Sequence, residues 1–258
     1  MNIILKSNSE LEKMHCAGLA VWDVLNRLRD MVKAGVSTLD LEKAAVKRGE
    51  ELHARPAFKG YRGYPCVLCA SINNEIVHGI PSAARRLNEG DIISLDYGAE
   101  IGGYYADAAV TVPVGKIGAE LEKLLRVTRE SLDRAIAQAR AGNRLSDISH
   151  AVQSWVEENG FSVVREFVGH GIGTKMHEDL QLPNYGPPGQ GPRLQPGLTL
   201  AIEPMVNAGG PDARMLRDNW TAVTVDGSCS AHFEHTVAVT DNGPWILTRP
   251  KEVSGTSW

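Results

Sequence analysis

Cysteine is scarce in this chain: Cys16, Cys66, Cys69 and Cys229 are too few and too unevenly spaced for a disulfide framework in 258 residues, so reduced thiols are expected. Cys66 and Cys69 do form a C-x-x-C. No second pair completes a zinc site, however, and the surrounding YPCVLCASI reads as strand rather than as the helix start of a redox pair. Long apolar runs are missing too. The start, MNIILKSNSE, is far too weakly apolar for a signal peptide, and no later stretch approaches the roughly 20 apolar residues of a membrane span. A cytoplasmic protein with no membrane partner is expected. Nor is there an excess of positive charge: the net charge of -4, with basic residues scattered, argues against nucleic-acid recognition. What is present is 43% hydrophobic content, enough to bury a large core as one domain or two closely joined halves.

Ser9 and Glu12 have capping-box spacing, and Leu11, Met14, Gly18, Val21, Leu25, Leu28 and Val32 recur at three and four residues, which predicts a long amphipathic first helix. A second helix is expected over about 38–53. The Gly/Pro-rich RPAFKGYRGYP follows, then strands around 67–77 and a further helix starting near Ile117. An internal echo organises the rest. Lys33-Ala34-Gly35 followed by Asp40-Leu41 returns as Arg140-Ala141-Gly142 followed by Asp147-Ile148, 107 residues later. At the same offset, Gly90 and a strand-like run ending at Asp96 return as Gly197 and a run ending at Glu203. Two similar helix-helix-sheet halves, about 9–115 and 116–250, are therefore expected within one domain spanning 1–258.

The stretch DYGAEIGGYYAD begins and ends a glycine-rich turn with a carboxylate. A two-residue loop at Ile101 and Gly102 would set Asp96 directly opposite Asp107 on one face. Opposed like charges are destabilising, and the strand leading to Asp96 is too apolar to leave it freely solvated, so a positive charge is expected between them. The plain alternative is two solvated aspartates on a surface hairpin. Other residues point to the same place. Glu203 ends the repeated strand, Glu234 lies in SAHFEHTVAVTDNG with Phe233, His235, Val237 and Val239 on the opposite face, and His170 sits between glycines in EFVGHGIG. Four carboxylates and one imidazole suit two divalent ions better than one structural zinc.

At these residues the chain resembles the methionine aminopeptidases of type I. The resemblance runs from about Ser9 to Asn242 through SINNEIVHGIP, DIISLDYGAEIGGYYADAAVT, EFVGHGIGTKMHE, LTLAIEPM and DGSCSAHFEHTVAVTDNG, five pieces in one order. It implies an α+β pita-bread fold, two pseudo-twofold related halves around a di-metal site. Asp96, Asp107, His170, Glu203 and Glu234 would be the metal ligands, for cobalt, manganese, iron or zinc. His78 and His177 match the family's two non-ligand histidines, with Glu203 as general base. Phe58, Tyr61, Tyr64, Cys69, His78, Met176, His177 and Trp220 would bind substrate, and a monovalent cation is expected near Asn73 and Ser230. The implied activity is removal of the initiator methionine from nascent polypeptides when the second residue is small. The protein would act as a monomer, with transient ribosome association compatible with that role.

Three positions depart from the family pattern. Met176 stands in place of the usual Phe, His232 in place of a common Gln, and Leu180 in place of a proline. His232 is expected to share a strand face with Glu234, where it would reach the surroundings of the ligands, shift the site's pH response or, first among these, replace an amide hydrogen bond. Two other readings fit the same residues: an Xaa-Pro aminopeptidase, which usually carries an extra N-terminal domain, and a non-catalytic binding protein on the same fold.

Overall fold

The computed structural model describes residues 3–251. Four helices are α1 (Asn8–Met31), α2 (Thr38–Glu51), α3 (Ala119–Gln138) and α4 (Leu145–Glu158). The strands, in order, are β1 (Arg55–Pro56), β2 (Leu68–Ile72), β3 (Glu75–Val77), β4 (Ile92–Ile101), β5 (Tyr104–Pro113), β6 (Ser162–Val163), β7 (Gly169–Gly171) and β8 (Glu178–Leu182). They continue as β9 (Thr199–Ile202), β10 (Met205–Asn207), β11 (Ala213–Met215), β12 (Ala222–Thr224), β13 (Ser230–His232), β14 (Glu234–Thr240) and β15 (Gly243–Ile246). The first helix starts earlier than Ser9 and Glu12 suggest. Ser7 caps it, accepting from the Glu10 amide, while the Glu10 carboxylate accepts from the Ser7 amide at 2.8 Å. The same S-x-x-E spacing occurs two residues upstream, and that copy closes the capping box.

A nine-stranded antiparallel sheet dominates, with the path β1-β4-β5-β14-β9-β7-β8, β2 added beside β4 and β15 beside β14. Successive residues of a strand point to opposite faces. On β4, Leu95 and Tyr97 therefore join Val21, Leu25 and Leu28 of α1 in the main core, while Asp96 points away from the helices. Two smaller sheets, β13-β10-β6 and β11-β12-β3, close over that second face, with Ile76, Val77, Val164, Met205 and Ala222 forming their own core.

The echo at 107 residues extends to hydrogen bonds. Helices α2 and α4 begin and end at equivalent positions. The Gly35 amide donates to the Leu87 carbonyl at 2.8 Å and the Gly142 amide to that of Leu194 at 2.9 Å. Arg86 reaches the Gly35 carbonyl, as Arg193 reaches that of Gly142. Strand β9 likewise starts 107 residues after β4. All four cysteines are free thiols.

Candidate metal centre

Five neighbouring strands each bring one candidate ligand to the covered face of the sheet. Asp96 lies on β4 and Asp107 on β5, Glu234 opens β14, Glu203 directly follows β9, and His170 is the middle of β7. The hairpin register corrects the sequence expectation. The two-residue loop is Gly102-Gly103, not Ile101-Gly102, so Asp96 pairs with Ala109 and Asp107 with Gly98. Both loop residues have positive φ, 60° and 85°, the requirement of the turn type whose twist matches a hairpin. The shift makes the aspartates diagonal neighbours on one face rather than directly opposed, still close enough for their charges to interact. The glycine beside His170 has a backbone purpose: a Cβ on Gly169 would lie 2.4 Å from the Ala201 carbonyl oxygen, so only glycine lets β7 pair with β9 there.

The charges are concentrated and dry. Ligand atoms of Asp107, His170 and Glu234 all lie within 4.8 Å of one another. His170 Nε2 stands 3.5 Å from Asp107 Oδ2 and 3.6 Å from Glu203 Oε1. Asp96 Oδ1 is buried with no hydrogen-bond partner. Burial first, then Asp107 and Glu203, holds the Asp96 carboxyl well above its ordinary range. Burial followed by Asp107, Glu203 and Asp96 does the same to Glu234. Burial pushes Glu203 up to about 8 against the opposing pull of His170. Burial alone would lower His170, but Asp107 and Glu203 outweigh it and raise the imidazole to about 9. Four acids around one base, with an orphaned carboxylate oxygen among them, fit divalent cations: ions would satisfy that oxygen and reverse the upward shifts.

Around this floor lies a cavity of about 320 Å³ lined by Phe58, Tyr61, Tyr64, Cys69, His78, Met176, His177 and Trp220, all named from the sequence. Tyr61 stacks on His177 at 5.0 Å, and His177 lies 4.1 Å from the His170 ring. Tyr64 meets Trp220 edge-on at 5.1 Å and donates its hydroxyl proton to a main-chain carbonyl, that of Leu68 or Gly79. Cys69 pairs across β2 and β4 with Asp96, which places its thiol on the cavity face. Burial lowers His78 to about 4, and burial with the adjacent His170 charge lowers His177 to about 4, so both are neutral imidazoles at pH 7.

Sequence reasoning missed Arg62, Val77, Glu166, Phe167, Val168 and Met205, which also line the cavity. Phe167 meets His78 edge-on at 5.5 Å; its one signal was its place just ahead of VGHGIG. His232 ends β13 in a different sheet from Glu234, so the two do not share one strand face as expected. Its Nε2 has no hydrogen-bond partner and stands 4.0 Å from Glu203 Oε2, too far for the amide-like bond the sequence suggested. Asn73 and Ser230 are adjacent, the Ser230 amide donating to the Asn73 carbonyl at 2.8 Å. Both side chains are committed elsewhere: Asn73 to Asp91 and the Ile92 amide, Ser230 to the Val206 carbonyl.

The chain matches the family model described as metallopeptidase family M24 over residues 12–241. It is 53% identical over 247 residues to methionine aminopeptidase 1 of Bacillus subtilis, covering 96% of this chain and 99% of that protein. The crystal structure of methionine aminopeptidase from Thermotoga maritima superposes with a TM-score of 0.95 at 48% identity, covering 96% of this chain and all of that one. The prolidase of Pyrococcus horikoshii shares the fold at a TM-score of 0.77 and 19% identity, and this chain spans 64% of its length. Near-complete coverage at about half identity, over the segment that builds the acidic cavity, separates the two readings of the fold: the chain belongs to the M24 metallopeptidases as a type I methionine aminopeptidase, a metal-dependent peptidase that removes N-terminal methionine.

Proposed function

We propose that the buried cluster is a di-metal centre and that the aromatic and sulfur-lined cavity beside it holds the methionine side chain. The observation that carries this reading is the convergence of four carboxylates and one imidazole from five neighbouring strands at one end of that cavity. Two divalent ions, of cobalt, manganese, iron or zinc, would be held by Asp96, Asp107, His170, Glu203 and Glu234, and when bound would supply a water of lowered pKa and polarise the scissile carbonyl.

The remaining chemistry falls to the chain. Glu203 accepts a proton from the attacking water and delivers it to the leaving amine, a shuttle that needs a carboxylate at the reacting atoms. His177, neutral at pH 7, donates its N–H to the developing oxyanion. His78, also neutral, accepts from the scissile amide N–H and aligns the leaving peptide. Phe58, Tyr61, Tyr64, Cys69, Met176 and Trp220 exclude water around the thioether; sulfur beside aromatic rings is favourable by about 0.3–1.5 kcal/mol per contact. Met176, more pliable than an aromatic residue, loosens that wall.

The substrates are nascent polypeptides with a small second residue, met in the cytoplasm. Among the described residues no helix is long and apolar enough to cross a membrane. The enzyme works as a monomeric single catalytic domain, with halves meeting near residue 116, and any ribosome contact is transient. A monovalent cation beside Asn73 and Ser230 would rely on main-chain oxygens, since both side chains are engaged.

The test is product release from Met-Ala-Ser, Leu-Ala-Ser, Met-Glu-Ser and Ala-Pro-Ser by metal-stripped protein before and after adding manganese or cobalt. Metal-dependent release of methionine from the first alone supports the reading. Cleavage of Met-Glu-Ser at a similar rate refutes the small-residue preference, and cleavage of Ala-Pro-Ser refutes the methionine pocket.

A further inference from the structure

None of the described residues ahead of α1 lines the cavity, yet one of them carries a buried charge. Lys6 Nζ lies 2.5 Å from Glu178 Oε2, with the two side chains 1% and 6% exposed. The same ammonium donates to the Ile4 carbonyl at 3.0 Å. The main chain is pinned as well: the Lys6 amide donates to the Gly197 carbonyl at 2.7 Å, and the Gly197 amide to that of Val239 at 2.9 Å. Gly197 leads into β9, the strand that delivers Glu203. Glu178 directly follows His177, opens β8 and pairs with Gly171, the neighbour of His170. Lys6 is thus tied by its backbone to the residue that leads into β9 and by its ammonium to the start of β8, directly after His177.

Stability does not account for this pair. Removing two charges from water costs several kcal/mol per ion, and a buried ion pair is often no more stabilising than an apolar pair of the same volume. Here the account is worse than usual, because Glu178 Oε1 is buried with no hydrogen-bond partner. Space is given up for the pair too. A Cβ on Gly173 would lie 2.4 Å from both Glu178 Oε1 and Lys6 Cε. What the pair supplies is a short, charge-assisted bond between two anchored stretches of main chain. His177 needs such support: among the described residues its side chain makes no hydrogen bond, and its ring contacts are to Tyr61 and His170. Where its ring points is therefore set by the backbone at 177–178.

We propose that Lys6 is a positioning residue for the peptidase, fixing through Glu178 the main chain that aims His177 into the cavity. The inference rests on His177 as the oxyanion donor, and the experiment separates the two. Lys6→Met, His177→Ala and the double variant, each loaded with manganese and matched for bound metal and folded fraction, are compared in kcat and KM on Met-Ala-Ser. Misplacing a catalytic group lowers kcat, so Lys6→Met should lose about ten-fold in kcat with KM within two-fold, and the same change in the His177→Ala background should lose less than about two-fold. Equal losses in both backgrounds mark a merely structural lysine and overturn the proposal, as does an unchanged kcat in Lys6→Met while His177→Ala is impaired. An unimpaired His177→Ala instead refutes the oxyanion role itself, and the proposal falls with it. Should Lys6→Met not fold, Glu178→Gln, which weakens the pair yet keeps an acceptor, goes through the same cycle with the same outcomes.

Discussion

A carboxylate oxygen with no hydrogen-bond partner, buried beside two other acids, is the residue-scale feature on which the site turns. On the proposed reading a cation shares the Asp96 charge, so Asp96→Asn should lower metal affinity by about a hundred-fold or more, read as metal bound per chain after dialysis. Glu203→Gln keeps the shape but cannot carry a proton, and should lower kcat by about 10²–10⁴ even at metal concentrations high enough to restore full loading. The metal-stripped protein should also show the cluster in its pH dependence. Glu203 at about 8 and His170 at about 9 are raised above their unfolded values of 4.5 and 6.5. Each therefore adds stability below its unfolded pKa that is lost as pH rises through the folded one. His78 and His177, lowered to about 4, act oppositely, costing stability as pH falls below 6.5. The Tm of stripped protein should accordingly fall between about pH 6.5 and 9, and saturating manganese should flatten that fall. A Tm that rises over this window in stripped protein would contradict the assigned shifts.

At the scale of the element, the hairpin β4–β5 sets both the aspartate spacing and one pocket wall. Gly98 pairs with Asp107, and a Cβ there would lie 2.7 Å from Phe58 Cε1 and 3.0 Å from Ala57 Cβ. Gly98→Ala should displace Phe58 and raise KM for Met-Ala-Ser about ten-fold, with a smaller change in kcat, because uniform binding is lost rather than a contact made only in the transition state. The hairpin also shows what could be read without coordinates. Asp96 and Asp107 are both visible as charges flanking glycines, but Ile101-Gly102 and Gly102-Gly103 are two candidate loops one residue apart. Choosing between them needs the backbone angles at Gly103, which composition does not encode. The Ser7 cap was hidden for a similar reason: two overlapping S-x-x-E pairs share the segment, and only packing decides which one starts the helix.

For the whole molecule, repetition made the plan legible. The 107-residue offset was carried by a few residues at helix starts and strand ends, and hydrogen bonds at Gly35 and Gly142 repeat with it. The smaller sheets were not legible, since β10 to β13 are three-residue strands, too short to show an alternation, and β10 and β12 also pair with the distant β6 and β3. Phe167 and Met205 enter the cavity through those layers, and no periodicity marks them. Because the ions would bind only the folded arrangement, metal at a hundred times its Kd should stabilise the enzyme by about 2.7 kcal/mol, or roughly 5–10 °C in Tm, and chelation should reverse it.

The placement of Glu234 at the head of β14, between β5 and β9, also governs when the enzyme comes into being. Asp96 and Asp107 are made before their partners, and the strand that seats between the two halves of the sheet is made after β4, β5, β7 and β9. Until then the early aspartates sit on a hairpin with no complete cation cage. Fragments lacking 234–240 should therefore be inert, because both the Glu234 carboxylate and the strand that joins β5 to β9 are missing.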